Sequence, residues 1–395
     1  MVQSMDKRES QSSQVMKVLV LGRIDPFKPY GWHIRPYYIY KYLKKILGTS
    51  KVLSVAVIST CYLVAGLRLF RILKKLLQEI TTCRTLVLVN SESLHFIWNI
   101  IVKFTCTLLS RQCILITDIH GIMHEQLAIY SNKSIPIIGL IRLLEEFSWK
   151  LSDYLIVCSA ELAWKIRRRY GNYSVAIVYD SCELEQCVTM VNDELLESLK
   201  ERYNLNDKTV LVLIAPRSNP ANIMAIKFVY KVMEVLLKRR DDIVLVITGG
   251  GDPVLEGKPS NVIYTGHLTR RMLFALLKLA KLGFAPYPKG AITGGARNKV
   301  LDYWCAGLPI VATREGVSGF TDIVEGVHYV HCEDDPKEFA KTILKLLESP
   351  TEELRRVASE AYKLLAAKYN WGIQVRKLDL IVLKLLLKNL SQQSV

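Results

Sequence analysis

The chain has 395 residues, of which 50% are hydrophobic, and a formal net charge of +16 at pH 7. This length and hydrophobic content exclude a fibrous or largely disordered chain and predict two to three globular domains. The charge is uneven, since residues 1–175 hold 24 lysines and arginines against 11 acidic residues, so nucleic acid, anionic lipid and phosphorylated substrates are candidate partners.

The nine cysteines are scattered along the chain and form no C-x-x-C pair. This distribution favours reduced thiols in a cytoplasmic protein over a disulfide framework or a zinc site. Residues 1–15 are polar and rich in serine and glutamine, without the apolar segment of a signal peptide. They are predicted to be a disordered tail.

The first predicted strand covers residues 17–22 and opens an α/β domain, and a helix begins near Tyr37. The loop between them contains Gly31 and His33. Gly31 is either a point of close backbone approach near a reaction centre or part of an ordinary strand-to-helix turn.

An apolar stretch without charges follows at residues 52–67 and is too short for a transmembrane helix. It predicts a buried strand that leads into an amphipathic helix. One face of that helix carries the apolar residues Leu67, Phe70, Leu73, Leu77 and Ile80, and the other carries Arg68, Arg71, Lys74 and Lys75. Such a helix either packs on a sheet with a solvated polar face or lies on an anionic membrane surface.

A later strand ends in the sequence D-I-H at His120. Ligands of open α/β sheets gather at the carboxyl ends of strands, so His120 is a candidate site residue, with a structural histidine as the alternative. His124 and Glu125 nearby resemble part of a metal-binding helix. The H-E-x-x-H order is missing and no third ligand is evident, so no metal site is predicted.

The next elements support two successive α/β domains. Residues 151–171 predict a strand, an N-cap at Ser159 and a helix that ends at Gly171. Residues 183–208 are acidic, polar and helical in pattern, and are predicted to connect the domains.

The second domain opens with a strand that ends at Arg217, followed by a helix that begins near Asn222. Arginine suits a phosphate ligand, because its planar fork can bind two oxygens at once. Residues 249–251 are three glycines after another strand, but their spacing does not complete a dinucleotide-binding fingerprint.

The segment from residue 283 to 320 predicts a strand, a glycine-rich loop, a helix and a second strand. The loop contains Gly294 and Gly295, and the helix runs from Asn298 to Ala306. Backbone N–H groups at the amino end of such a helix favour an anion such as phosphate, and Asp302 lies one turn further along.

This segment resembles the donor-nucleotide motif of GT-B glycosyltransferases of the group 1, or GT4-type, family. In that family the pattern K-x-x-E-y-x-A-x-G-x-P-v-V-a-T follows a phosphate-binding loop. The residues at the matching places here are Lys299, Asp302, Gly307, Pro309, Val311, Ala312 and Thr313. Two positions depart from the family: Asp302 replaces the usual glutamate that holds the ribose, and Gly294 replaces the first glutamate of the E-x7-E pair.

The resemblance implies an α/β protein of GT-B architecture, with two doubly wound Rossmann-like domains facing across a cleft and a C-terminal helix that crosses back to the first domain. The implied acceptor-binding domain covers residues 16–182, and residues 183–208 are the linker. The donor-binding domain covers residues 209–369, and residues 370–395 are the crossover helix.

The resemblance also implies the site residues. His120, Arg217 and Lys299 are the expected catalytic residues. The residues expected to bind the donor are Asp302, Gly294, Gly295, Asn298, Glu315 and Gly316. Gly31 and His33 are expected to form the loop that lies under the acceptor and beside the donor phosphates. No cofactor is expected besides the donor, since fixed cations and helix N-termini can stabilise the leaving diphosphate.

The implied function is transfer of a sugar from a UDP- or GDP-sugar to the hydroxyl of a saccharide or lipid-linked acceptor, with retained anomeric configuration, in glycan or glycolipid assembly. The expected protein is cytoplasmic, with a peripheral contact between its basic N-terminal domain and an anionic membrane. The alternative is a degenerate GT-B protein that binds nucleotide or glycan without transfer. The positive charge is the only feature consistent with nucleic-acid binding, and no recognisable nucleic-acid-binding motif accompanies it. No nucleic-acid partner is therefore predicted.

Overall fold

The computed structural model describes residues 16–22, 24, 34–47, 53–59, 66–91, 95–130, 135–184, 191–217, 219–250, 255–291 and 296–393. These residues form two compact units. The first unit contains the described residues up to Tyr179 and from Trp371 onward, and the second runs from Asp180 to Asn370. The tail at residues 1–15 lies outside the described residues.

The first unit is built on a parallel sheet with the strand order β2-β1-β3-β4-β5-β6. Its strands are β1 (Met16–Gly22), β2 (Leu53–Ser59), β3 (Thr85–Asn90), β4 (Gln112–Ile119), β5 (Tyr154–Val157) and β6 (Val175–Ile177). Its helices are α1 (Ile34–Leu47), α2 (Gly66–Thr81), α3 (His95–Leu108), α4 (Met123–Tyr130), α5 (Ile135–Leu151) and α6 (Ala160–Arg169), together with the C-terminal helix Trp371–Gln393.

Helices cover both faces of this sheet, which explains why its central strands are apolar at nearly every position. Val18 and Val20 of β1 face α1 and the C-terminal helix, whereas Leu19 and Leu21 face α2 and α3. Trp371 begins the C-terminal helix and stacks on Tyr38 of α1, with ring centroids 5.3 Å apart. The C-terminal helix therefore returns to the first unit, as predicted.

The second unit contains a parallel sheet with the order β12-β11-β10-β7-β8-β9. Its strands are β7 (Thr209–Ile214), β8 (Ile243–Thr248), β9 (Val262–Gly266), β10 (Leu282–Ala285), β11 (Ile310–Ala312) and β12 (Val330–His331). Its helices are α7 (Asp193–Arg202), α8 (Pro220–Leu237), α9 (Arg270–Leu279), α10 (Asn298–Cys305), α11 (Pro336–Glu348) and α12 (Thr351–Lys368), and α13 is the helix Trp371–Gln393 of the first unit. Phe339 packs edge-to-face against both Phe228 and Phe284, which joins helices and sheet in the core.

The predicted α/β class with two doubly wound Rossmann-like units is confirmed. Residues 52–67 contain a strand, as predicted, and Ser159 caps α6 by accepting a hydrogen bond from the N–H of Leu162 at 3.2 Å. The predicted linker, residues 183–208, includes α7, and contacts place this helix within the second unit.

The predicted apolar face of α2 is confirmed only in part. Ile80 is buried and Leu73 packs against the core, whereas Leu77 is 45% exposed and the buried residues Ile72 and Leu76 were not predicted. Leu67 and Phe70 lie outside the described side chains. Leucines occur on several sides of this helix, so periodicity alone could not identify the face that meets the sheet. Of the described helices, none is both long and apolar enough to cross a membrane.

The expectation of reduced thiols holds for only part of the chain. Six described cysteines are free: Cys83, Cys106, Cys113, Cys158, Cys182 and Cys332. Cys305, at the end of α10, is disulfide-bonded. A scattered cysteine pattern without C-x-x-C spacing carries no signal for such a bond, because its partners can be distant in sequence.

Candidate functional site

The candidate donor site of the second unit lies at the carboxyl ends of β7 and β10, where α8 and α10 begin. Lys299 stands in the first turn of α10 and is buried. Its ammonium group lies 3.0 Å from Oδ1 of Asn222 on α8 and also contacts the hydroxyl of Tyr287, which follows β10. The Tyr287 hydroxyl donates to the same Asn222 oxygen at 2.5 Å.

Burial is the main cause that lowers the pKa of Lys299 well below its ordinary value, and the nearby charge of Arg297 lowers this pKa further. Burial likewise raises the pKa of Tyr287 to about 12, so its hydroxyl is protonated at neutral pH and can donate. Keeping Lys299 protonated in this buried position therefore costs free energy, and an anion bound next to it would offset that cost.

Arg297 was not selected from the sequence, although it lies between the glycine loop and Lys299. It is buried, and its guanidinium group lies 3.5 Å from the centroid of the Tyr287 ring. It donates to the carbonyl oxygens of Glu315 at 3.2 Å and Ala291 at 3.0 Å. A basic residue directly before a helix that follows a glycine loop is the signal that could have identified it.

Asp302 lies on α10, one turn beyond Asn298, which is the first residue of the helix. Its carboxylate accepts a hydrogen bond from the guanidinium of Arg270 on α9 at 2.7 Å. The residue predicted to hold the ribose therefore has a protein partner in this structure.

Arg217 follows β7, as predicted, and is buried. Its guanidinium carbon lies 4.5 Å from the centroid of the Tyr264 ring on β9, an arrangement typical of a cation–π contact. Its backbone N–H donates to the carbonyl of Gly250 at 2.9 Å, which fixes the loop at the end of the strand.

Glu315 and Gly316 begin a short 3-10 helix directly after β11. A Cβ added to Gly316 would lie 1.8 Å from the carbonyl oxygen of Ala285, at the end of β10. Only glycine allows this close approach between the two segments.

Gly316→Ala is therefore expected to destabilise the second unit by about 1–3 kcal/mol, the usual cost of overpacking a well-filled interior. Chemical denaturation measures this effect. Gly250→Ala is the control, because an added Cβ there would meet only the Cβ of His267 at 4.0 Å. Equal stability of the two variants would contradict the close approach.

In the first unit, the candidate acceptor site is a buried polar cluster at the carboxyl end of β4. Arg35 of α1 donates to both carboxylate oxygens of Asp118 at 2.8–3.0 Å and to the carbonyl of Val178 at 2.7 Å. Ser91 donates to Asp118 at 2.6 Å. Nε2 of His120 lies 3.0 Å from the same carboxylate, and its side chain is 35% exposed.

Burial alone would raise the pKa of Asp118, but the charges of Arg35 and His120 and the hydrogen bonds from both outweigh burial and hold this pKa well below its ordinary value. Asp118 is therefore an anion at neutral pH. Its contact with Nε2 fixes the orientation of the His120 ring.

His124 has a structural role in the described residues. Its Nδ1 lies 2.7 Å from the buried carboxylate of Glu145, and its Nε2 lies 3.0 Å from the hydroxyl of Tyr170. Glu145 also accepts from the backbone N–H groups of Met123 and His124, the first residues of α4. Within the described ranges, no group of three or more histidine, cysteine or acidic residues could hold a metal ion.

Four predicted site residues, Gly31, His33, Gly294 and Gly295, lie outside the described residues. Of the others, the second unit brings Arg217, Lys299, Asn298, Asp302, Glu315 and Gly316 to the ends of its central strands and to the helices that follow them. Their roles in donor binding stay predictions.

Comparison with known proteins identifies the second unit. Residues 208–349 match the family model described as glycosyl transferases group 1. None of the curated protein sequences matches the chain.

Solved structures share the fold of nearly the whole chain. Anabaena HepE, in complex with UDP and glucose, is 14% identical with a TM-score of 0.66, and the alignment covers 93% of this chain and 100% of HepE. Sucrose-phosphate synthase from Thermosynechococcus elongatus is 12% identical with a TM-score of 0.66, covering 94% of this chain and 100% of the synthase. WaaG, a glycosyltransferase involved in lipopolysaccharide biosynthesis, is 14% identical with a TM-score of 0.63, covering 92% of this chain and 99% of WaaG.

At these identities the solved structures establish the fold alone, and the family model matches most of the second unit. The chain therefore has the two-domain GT-B fold, and its residues 208–349 match the glycosyl transferases group 1 model.

Proposed function

We propose that this chain transfers a glycosyl group, with retention, from a nucleoside diphosphate sugar to a hydroxyl of a saccharide or lipid-linked acceptor. The observation that carries the proposal is the cluster of Lys299 and Arg297 at the amino end of α10, inside the group 1 domain. HepE was crystallised with UDP and with UDP-glucose, which favours a uridine nucleotide over a guanosine nucleotide here.

Transfer leaves a nucleoside diphosphate whose terminal phosphate gains negative charge as the glycosidic bond breaks. In the proposal, Arg217, Arg297 and Lys299 stabilise this charge as fixed cations, together with the N–H groups at the start of α10. These cations are held by stacking on Tyr264 and Tyr287 and by Asn222, so little reorganisation is needed when the charge develops. The proposal includes no cofactor.

His120 contributes from the first unit. The Asp118 carboxylate, itself fixed by Arg35 and Ser91, holds the exposed imidazole at the strand end. In the proposal, an imidazole so oriented forms a hydrogen bond with a hydroxyl of the transferring sugar or with its phosphate.

The experiment that tests donor binding is calorimetric titration of the full chain with UDP, GDP and ADP and their common sugar conjugates. NAD and a short DNA duplex serve as controls for dinucleotide binding and for nucleic-acid binding. Selective binding of UDP, with a smaller affinity for GDP, is the expected result. Binding of NAD or DNA in preference to every nucleoside diphosphate would overturn the proposal.

Asp302→Ala is expected to weaken donor binding about tenfold, the effect of losing one or two hydrogen bonds from a charged acceptor. To bind the ribose, the Asp302 carboxylate must either release the hydrogen bond that it accepts from Arg270 at 2.7 Å or accept hydrogen bonds from Arg270 and the ribose at the same time. Arg270→Gln is the matched variant, because it releases the carboxylate and should preserve donor affinity. Unchanged affinity in a folded Asp302→Ala protein would refute the ribose role.

A second candidate is a protein that binds nucleotide sugar without transferring it. This candidate is favoured because two side chains that are expected to bind the donor already contact other residues of the protein. Lys299 contacts Asn222 and Tyr287, and Asp302 contacts Arg270. A turnover assay with the tightest-binding donor separates the two functions. Hydrolysis of the donor or transfer to an acceptor supports the enzyme, and binding without any turnover supports the second candidate.

A further inference from the structure

A surface depression lies in the first unit between α6 and the edge strand β6. Its volume is about 470 Å³, which is within the size range of small-ligand sites. The described residues that line it are Ala160, Ala163, Trp164, Arg167 and Arg168 of α6 and Ile177 of β6. We call this depression the α6 hollow.

The hollow exists because small side chains stand where α6 meets the end of the sheet. The lining residues of α6 follow the spacing of a single helix face. Ala160 and Ala163 on that face leave space that larger side chains would fill. The strand order places β6 last in the sheet, so in the described part of the first unit no further strand covers Ile177.

The rim of the hollow combines an exposed aromatic ring with two cations. Trp164 is 59% exposed, whereas every other described tryptophan is buried. The guanidinium carbon of Arg168 lies 5.6 Å from the centroid of the Trp164 ring, a cation–π arrangement. Arg167 donates to the carbonyl of Val175 at 2.6 Å, which fixes its guanidinium group beside β6. The indole and both guanidinium groups are therefore available to a ligand in the hollow.

The charge of the hollow complements an anion. Its described lining contains two arginines and no acidic residue, and Glu161, the acidic residue of α6, is not part of it. The planar fork of an arginine binds two oxygens of a carboxylate or a phosphate at once. The ligand expected from charge alone is therefore one that carries either of these groups.

The apolar part of the lining adds a second requirement. Ala160, Ala163 and Ile177 form an apolar floor, and Trp164 presents the face of its ring. A sugar ring fits such a surface, because its C–H face can stack on the indole while its hydroxyl groups stay in water. An acidic substituent on the same sugar, or on its neighbour, can then reach the arginines.

A peptide that adds to the sheet as a further strand fits less well. The β6 strand has only three residues, Val175–Ile177, and the carbonyl of Val175 already accepts a hydrogen bond from Arg167. Such an edge offers few main-chain hydrogen bonds for strand addition. We therefore propose that the α6 hollow binds an anionic saccharide, that is, a sugar that carries a carboxylate or a phosphate.

The position of the hollow relates it to the candidate acceptor site. Ala160 follows the cap residue Ser159 at the carboxyl end of β5, and Sγ of Cys158 donates to the carbonyl of His120 at 3.5 Å. One end of the hollow thus lies at the strand ends that carry His120, and Arg168 lies about 12 Å further along α6. This step rests on the proposed function: the hollow holds acidic units of a saccharide acceptor whose reacting hydroxyl lies near His120.

The test is calorimetric titration of the full chain with a hyaluronan tetrasaccharide, which carries carboxylates, with glucose-6-phosphate and with neutral cellotetraose. At least one of the two anionic probes should bind about tenfold or more tightly than cellotetraose, and their order tells carboxylate from phosphate. Trp164→Ala should weaken binding of the preferred probe by about tenfold or more, and Arg168→Gln by about three- to tenfold.

The matched controls are Phe104→Ala and Arg355→Gln. Phe104 is an aromatic residue of α3 that is 66% exposed, and Arg355 is an exposed residue of α12. Both controls should bind the anionic saccharide like the unaltered chain, because neither residue lines the hollow. They separate the hollow from a general effect of lost aromatic surface or lost positive charge, and circular dichroism of every variant verifies folding.

Three results would overturn the inference. The first is binding of cellotetraose as tight as that of both anionic probes. The second is unchanged binding of the anionic probes in Trp164→Ala and Arg168→Gln. The third is preference for an acidic peptide, an octamer of glutamate, over both anionic saccharides.

Titration of the same preparations with UDP keeps this inference apart from the proposed function. A chain that binds the anionic saccharide at the hollow but no nucleotide would contradict the proposed function and leave the hollow supported. A chain that binds UDP but none of the saccharides would contradict the hollow alone.

Discussion

Replacing Asp118 with alanine is expected to destabilise the first unit by about 3–5 kcal/mol, the usual cost of breaking a buried ion pair by removing one partner. The change leaves the Arg35 guanidinium, which is 3% exposed, without the carboxylate that accepts three of its hydrogen bonds. It also removes the acceptor for Ser91 and the contact with His120. Chemical denaturation, followed by a probe in the first unit, measures the loss.

Asp242→Ala is the matched control. Asp242 makes a comparable bidentate contact with Arg240, but both side chains are about one-third exposed, so the expected loss is below about 1 kcal/mol. A double variant that replaces Arg35 with methionine and Asp118 with leucine should recover much of the stability, because no buried charge remains unpaired. An Asp118→Ala protein as stable as the control would contradict the account.

The stability that Asp118 provides should depend on pH in a defined direction. Its pKa is lower in the folded chain than the ordinary value of 3.8, so the unfolded chain binds more protons in the acid range. The contribution is fully present above the ordinary pKa and is lost as the pH falls through the lower, folded value. The difference between the unaltered chain and Asp118→Ala should therefore shrink in strong acid.

The elements around the donor site could be predicted because their signals are local. The helix predicted at Asn298–Ala306 is α10, Asn298–Cys305, and the strand predicted after it is β11, Ile310–Ala312. Glycine and proline mark the limits of these elements, and the apolar run between them identifies the strand.

The polar contacts that define the sites could not be predicted in the same way. Arg35 and Asp118 are 83 residues apart in sequence, and Arg270 and Asp302 are 32 residues apart. Their pairing depends on which strands neighbour each other in the sheet and on which side of a helix faces inward. Composition and periodicity leave both open, as the exposed side chain of Leu77 on the predicted apolar face of α2 illustrates.

Replacing Lys299 with methionine is expected to lower sugar transfer about 10- to 100-fold, the effect of losing one charge-assisted hydrogen bond to the leaving diphosphate. The same change should preserve or raise the stability of the second unit at neutral pH. Lys299 is buried, and methionine fills a similar volume without a charge that must be desolvated. Donor turnover and thermal unfolding of the same preparation measure the two effects.

The pH dependence of that stability has a defined sign. The pKa of Lys299 is lower in the folded than in the unfolded chain, chiefly through burial, so the unfolded chain binds more protons between the lowered pKa and the ordinary 10.5. The unaltered protein should therefore gain stability relative to Lys299→Met as the pH rises through that range. Lys289→Met, which changes an exposed lysine ten residues earlier, should alter neither transfer nor this dependence.

A Lys299→Met protein that transfers sugar at the normal rate would remove Lys299 from the mechanism. One that loses both stability and transfer would show that its contacts with Asn222 and Tyr287 maintain the fold. Loss of transfer with gain of stability would instead mean that the chain keeps a destabilising buried cation next to α10 because an anion binds there. That combination distinguishes a ligand-binding role from a structural one.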